Sequence, residues 1–305
     1  MSLTVVGSIA FDAVKSPFGE REKMLGGAAV HFSLAASFFT DVRVVGPVGD
    51  DFGDDEYGVL HRRGVNTDDI EHVEGGETFF WKAHYEFDMN TAHTEDTRLG
   101  VFGEFEPKLS DASRSSDVLF LANIQPDVQR GVREQCPDVR IAGLDSMNLW
   151  IDTARDSLVQ TIGAVDLLFL NDAELRMLTG EANLVKASRA VMEMGPSTVV
   201  AKQGEYGAAL FTADGFFALP AYPLETVVDP TGAGDSFAGG FLGYLASRGE
   251  TSDEELRRAM TYGSTLASFN VEEFGTERVS RLAREEIDER YSEFERMTAL
   301  AGLPA

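Results

Sequence analysis

The chain of 305 residues, 43% of them hydrophobic, is long enough to bury a full layered α/β core in one domain. Its 51 acidic against 26 basic residues leave a formal net charge of −25, a field that repels nucleic acid and anionic membranes and so excludes both as main partners. A single cysteine, Cys136, rules out an internal disulfide framework, and with no basic-then-apolar leader or long apolar run the expected compartment is the cytoplasm.

In chain order, short apolar segments rich in β-branched residues alternate with amphipathic ones. Residues 3–9, 42–48, 118–122, 139–144, 165–170 and 198–202 predict strands of a mostly buried sheet. Helices are predicted between and beyond them over 27–39, 52–63, 153–162, 172–178, 184–194 and 235–247, and two long ones, about 253–269 and 280–297, close the chain. This alternation predicts an α/β fold, a central mostly parallel sheet flanked by helices, and no repeat or low-complexity linker divides residues 1–305 into further domains. Two segments, about 11–25 and 71–88, fall outside the alternation and predict a small β lid. Their aromatic residues, Phe11, Phe18, Phe79, Phe80, Trp81, Tyr85 and Phe87, either give that lid an apolar, water-excluding underside or plug a core beside the sheet.

The most informative string is Asp229-Pro230-Thr231-Gly232-Ala233-Gly234-Asp235, running directly into Ser236-Phe237-Ala238-Gly239-Gly240-Phe241-Leu242. Small residues ahead of a long apolar helix leave free backbone N–H groups at its start, where they and the helix dipole suit the oxygens of a transferring phosphoryl group. Asp235, read as opening that helix, supplies a carboxylate able to take the proton from an attacking alcohol. The plainer alternative is a turn whose glycines and aspartates cap a helix. The string resembles the C-terminal signature of the PfkB, or ribokinase-like, family of carbohydrate and nucleoside kinases. That resemblance implies a three-layer ribokinase-like fold, an anion hole formed by Gly232, Ala233 and Gly234, and Asp235 as catalytic base.

Further matches run in the same order along about four-fifths of the chain. Paired glycines Gly26 and Gly27 allow a backbone to approach a ligand closely, and they resemble the family's N-terminal Gly-Gly signature, which binds sugar hydroxyls. His31 stands where that pattern has Asn, either as an altered acceptor contact or as a packed core histidine. Asp12 corresponds to a residue that holds acceptor hydroxyls, with a turn-capping aspartate as the alternative. Asn171 and Glu174 match an Asn-x-x-Glu motif that implies a hold on the water shell of Mg²⁺, and equally spell a helix capping box. Lys202, Gly204 and Gly207, with Asn171, Gly232 and Gly234, are implied ATP contacts, although glycines of this spacing also make simple hairpins. Asp229 and Thr231 resemble residues that bind K⁺ in several members, and the family's lid often pairs with its twin, so a homodimer through the lid is expected.

No Walker-type loop is present and the five histidines lack zinc-ligand spacing. The sequence therefore points to ATP- and Mg²⁺-dependent phosphorylation of a hydroxyl of a small sugar. The alternatives are a nucleoside kinase acting on the ribose 5′-hydroxyl and a non-catalytic ligand sensor on the same scaffold.

Overall fold

A computed structural model describes residues 1–299. Thirteen strands are found among them: β1 Ser2–Val6, β2 Ala10–Ser16, β3 Gly19–Gly26, β4 Asp41–Val48, β5 Asn66–His72, β6 Phe79–Tyr85, β7 Ala92–Arg98, β8 Val118–Leu121, β9 Ile141–Asp145, β10 Leu167–Asn171, β11 Thr198–Lys202, β12 Ala208–Thr212 and β13 Phe216–Leu219. Nine form one sheet in the order β13-β12-β11-β10-β9-β8-β1-β4-β5. From β5 through β11 the neighbours are parallel, and β12 and β13 continue antiparallel. The other four make a separate lid sheet in the order β3-β2-β6-β7.

The central strands carry apolar residues at nearly every position because both faces are covered. Leu3, Val5, Val118 and Phe120 point into one core, whereas Val6, Leu119 and Leu121 point into the other. The first core is closed by helices Ala28–Ala36, Ala233–Arg248 and Asp253–Asn270, the second by Pro126–Gln135, Arg155–Ile162, Asp172–Thr179 and Leu184–Met192. Phe32 stacks on Phe120 with centroids 4.2 Å apart, and full burial of a side chain of this size contributes about 1.5–3 kcal/mol. Gly239 lets helix Ala233–Arg248 lie directly on Ala28–Ala36: a methyl group there would come within 2.4 Å of the Phe32 carbonyl oxygen. This close approach brings the Gly26-Gly27 turn and the Asp229–Asp235 string into one neighbourhood. No helix among the described residues is long and apolar enough to cross a membrane.

Several boundaries differ from those expected. The predicted strand 3–9 ends at Val6, and the predicted helix 153–162 is two helices, Asn148–Thr153 and Arg155–Ile162. The last long helix starts at Arg284, after a short turn of helix Glu277–Ser280. The second lid segment lies at β6 and β7 rather than over 71–88, because residues 66–72 still pair with β4 in the main sheet. β7 escaped notice since every residue in it is exposed and His93-Thr94-Glu95-Asp96-Thr97-Arg98 shows no apolar alternation.

Candidate active site

Asp145, Asn171 and Lys202 are the last residues of β9, β10 and β11, at the carboxyl ends where open parallel sheets present their ligand sites, and Asp12 lies on lid strand β2, which follows β1. Opposite them is the start of helix Ala233–Arg248. The loop leading into it is braced from within. Asp229 is fully buried, with Oδ1 accepting the Thr231 N–H and Oδ2 the Gly275 N–H, each at 2.9 Å. Burial holds its pKa above the usual carboxylate range against the pull of those amides.

Gly232 is the N-cap at φ 74°, and a methyl group there would lie 2.3 Å from the imidazole of His31, so backbone geometry and space both demand glycine. The helix begins at Ala233, which corrects the expectation that Asp235 opens it: Asp235 is the third helical residue. The Ala233 N–H turns back to the Pro230 carbonyl at 3.2 Å, while the N–H groups of Gly232 and Gly234 meet no acceptor among the described residues. Lys202 adds positive charge at the same spot, its Nζ 2.9 Å from where a methyl on Gly234 would sit.

Asp235 shares this corner with Lys202 and Asp145. Burial, then the neighbouring Asp145 carboxylate, push its pKa up to about 7, and Lys202 pulls the other way. Asp12 is only 4% exposed and is likewise pushed up to about 7, first by burial and then by the charges of Asp229 and Asp235, against a hydrogen bond from Gly27. Gly26 is required beside it, because a methyl group there would fall 1.9 Å from the Asp12 carboxylate.

His31 lies beneath the loop rather than in the open cleft. Its Nδ1 is 3.0 Å from Asn270 Oδ1, which also accepts the Ser236 hydroxyl at 3.0 Å, and Asn270 Nδ2 donates to the Thr231 carbonyl at 2.7 Å. The last bond orients the Asn270 amide, so Nδ1 of His31 is the donor. Burial pushes the His31 pKa down to about 4, which keeps the ring neutral near pH 7, and Nε2 has no partner. Asn270 was missed by sequence reasoning. Its only signal is a lone carboxamide closing the apolar run Leu266-Ala267-Ser268-Phe269.

Lys202 Nζ pairs with Asp145 Oδ2 at 2.8 Å. Asn171 and Glu174 form a reciprocal capping box, each side chain accepting the other's N–H at 2.8 Å, and Glu174 keeps one carboxylate oxygen outside that pair. Burial raises the Glu174 pKa to about 7, opposed by Lys202 and reinforced by Asp145. Among the described residues no group of three or more His, Cys, Asp or Glu is placed to hold a metal directly. Gly204 and Gly207 flank a tight turn after β11 that borders a cavity of about 490 Å³, whose far wall is Tyr222, Pro223, Leu224 and Val227.

The lid aromatics divide. Phe11 belongs to the main core against Phe52, Phe79 stacks on Phe102, Phe80 lies under the Arg98 guanidinium, and Phe18 and Phe87 face solvent. Trp81 pairs in parallel register with Asp12, so Trp81, Ala83 and Tyr85 share the face that carries Asp12. Tyr85 reaches the 229–235 loop, its hydroxyl 3.1 Å from Thr231 Oγ1.

Residues 3–281 match the family model described as pfkB family carbohydrate kinase. A cytidine kinase of Thermococcus kodakarensis is 30% identical over 268 residues, covering 84% of this chain and 92% of that protein. Among solved structures, the nucleoside kinase of Burkholderia thailandensis in complex with inosine has a TM-score of 0.79 at 19% identity, over 95% of this chain and 97% of that one. A candidate ribokinase II of Escherichia coli in complex with ATP and Mg²⁺ has a TM-score of 0.80 at 20% identity, over 96% and 99%.

Proposed function

The chain belongs to the pfkB carbohydrate kinase family, a phosphotransferase acting on a sugar or nucleoside hydroxyl, and from that premise we propose that it moves the γ-phosphoryl group of ATP to the ribose 5′-hydroxyl of a nucleoside. The observation that carries the catalytic assignment is the juxtaposition of the Asp235 carboxylate with the unpaired Gly232 and Gly234 amides and Lys202 at one helix start. Asp235 takes the hydroxyl proton as that oxygen attacks the γ-phosphorus, and the bond from phosphorus to the bridging oxygen of ADP breaks. The two amides and Lys202 meet the charge on the transferring group. Asp12 accepts hydrogen bonds from the remaining sugar hydroxyls. Bound with ATP, Mg²⁺ supplies charge neutralisation at the phosphates, and the free Glu174 oxygen suits a water of its shell better than the metal itself. A panel of nucleosides, pentoses and hexoses assayed for ADP release tests the reading.

A nucleoside is favoured by Trp81, an indole on the acceptor face of the lid and larger than a free pentose requires, and by the cytidine kinase similarity. Trp81→Ala is expected to weaken nucleoside use by about 1–3 kcal/mol of stacking while leaving ATP affinity intact. Efficient turnover of a free pentose or hexose, with every nucleoside refused, would return the assignment to a simple sugar kinase.

K⁺ belongs to the same proposal. Asp229 already braces the loop through two amides, and a cation beside Asp229 and Thr231 would offset a carboxylate that is costly to bury charged. K⁺ is expected to raise the rate above that in the same concentration of tetramethylammonium. Equal rates in the two salts would leave Asp229 as a loop brace alone.

A further inference from the structure

The cavity beside Gly204 and Gly207 has an unexpected fourth side. One wall is the apolar stretch from Tyr222 to Val227, the floor includes Phe237 and Val271, and Lys202 and Gly234 stand at the phosphate end. The remaining side is Asp88, Met89 and Asn90, which belong to the turn between β6 and β7 of the lid. That turn is ordered: the Met89 N–H donates to the Glu86 carbonyl at 3.0 Å and the Asn90 N–H to Asp88 Oδ1 at 3.3 Å. Met89 has φ 55°, the only non-glycine residue at positive φ among the described residues. Backbone held in this region is disfavoured for a side chain such as Met and collects at ligand clamps. Asn90 Oδ1 lies 3.8 Å from where a methyl on Gly204 would sit, so the turn abuts one of the glycines implied in ATP contact. A few residues upstream, Tyr85 is tied to Thr231 of the anion loop, which anchors β6 and fixes where its turn falls.

We propose that the lid turn 88–90 is part of the donor site: Met89 covers the base and ribose of the bound nucleoside triphosphate, and Asn90 hydrogen-bonds one of its polar groups. The proposal rests on the kinase reading. It assigns to the lid a second duty, toward the donor, beside its cover over the acceptor. The acidic groups in and beside the turn, Asp88 and Glu205, place it at the base end of the nucleotide rather than at the phosphates, where Lys202 and the open amides are gathered.

The test is calorimetric binding of a non-hydrolysable ATP analogue, adenylyl imidodiphosphate with Mg²⁺, to the whole protein. Asn90→Ala removes the carboxamide, and Met89→Gly removes the thioether chain while easing the backbone, so neither change threatens the fold, which a melting curve confirms. The double variant is expected to bind the analogue about 10- to 100-fold more weakly than wild type, each single variant less so. Phe87→Ala, fully outside the cavity, should bind it unchanged. Wild-type binding with less than about a twofold loss in the double variant overturns the lid assignment and leaves the kinase reading standing. Failure of the wild type to bind the analogue at all overturns both.

Discussion

Asp235→Asn is expected to lower kcat by about two to four orders of magnitude, the contribution typical of a positioned general base, with affinity for the ATP analogue retained. The carboxylate must be ionised to accept a proton. With its pKa pushed up to about 7 by burial and by Asp145, kcat/KM of the wild type should climb with pH and level off above about 7. The residual activity of the variant should lack that limb. Stability moves the opposite way. A carboxyl whose folded pKa exceeds its unfolded value favours the fold while protonated and loses that contribution as pH rises through about 7. At pH 8 the wild type therefore carries a partly buried negative charge that the neutral amide avoids, and the variant should melt higher while working far more slowly. Activity within tenfold of wild type would remove Asp235 from the role of base, whatever the melting curve shows.

Much of this site was legible because its parts are local. Gly232 needs positive φ, Asp229 turns the chain onto its own neighbours, and the apolar helix follows without a break, so seven consecutive residues encode the loop and the helix start. The buried parallel strands were legible for a related reason, since a strand covered on both faces must be apolar throughout. What stayed hidden is what the fold assembles from a distance. Asn270 reaches Thr231, Ser236 and His31 from another helix, and nothing in its own vicinity foretells those partners. The same holds for Tyr85 and Thr231, which meet across 146 residues. His31 shows the limit from the other side. As a substitution in a motif it reads as an acceptor contact or a core residue, and the structure places it under the 229–235 loop, neutral, against the glycine whose missing side chain leaves room for its ring.

Lys202→Met is expected to cost about 3–5 kcal/mol of stability, the range for breaking a buried ion pair from one side. Lys202 Nζ and Asp145 Oδ2 are 2.8 Å apart with side chains 18% and 6% exposed, so removing the ammonium strands a carboxylate away from water. Burial alone would lower the Lys202 pKa, yet Asp145, Glu174 and Asp235 outweigh it and raise it, which keeps the cation charged throughout the neutral range. Three carboxylates thus share one positive charge, and without it Glu174 and Asp235 lose the partner that pulls their own pKa values down. Urea unfolding of Lys202→Met and of Lys202→Met/Asp145→Asn separates the two components. The double variant should recover most of the stability, because a neutral amide replaces the stranded charge, but none of the activity, because the cation beside Gly234 is still missing. A single variant as stable as wild type within about 1 kcal/mol would mean that water already solvates Asp145, and that Lys202 is free to swing onto a phosphate without leaving a buried charge behind.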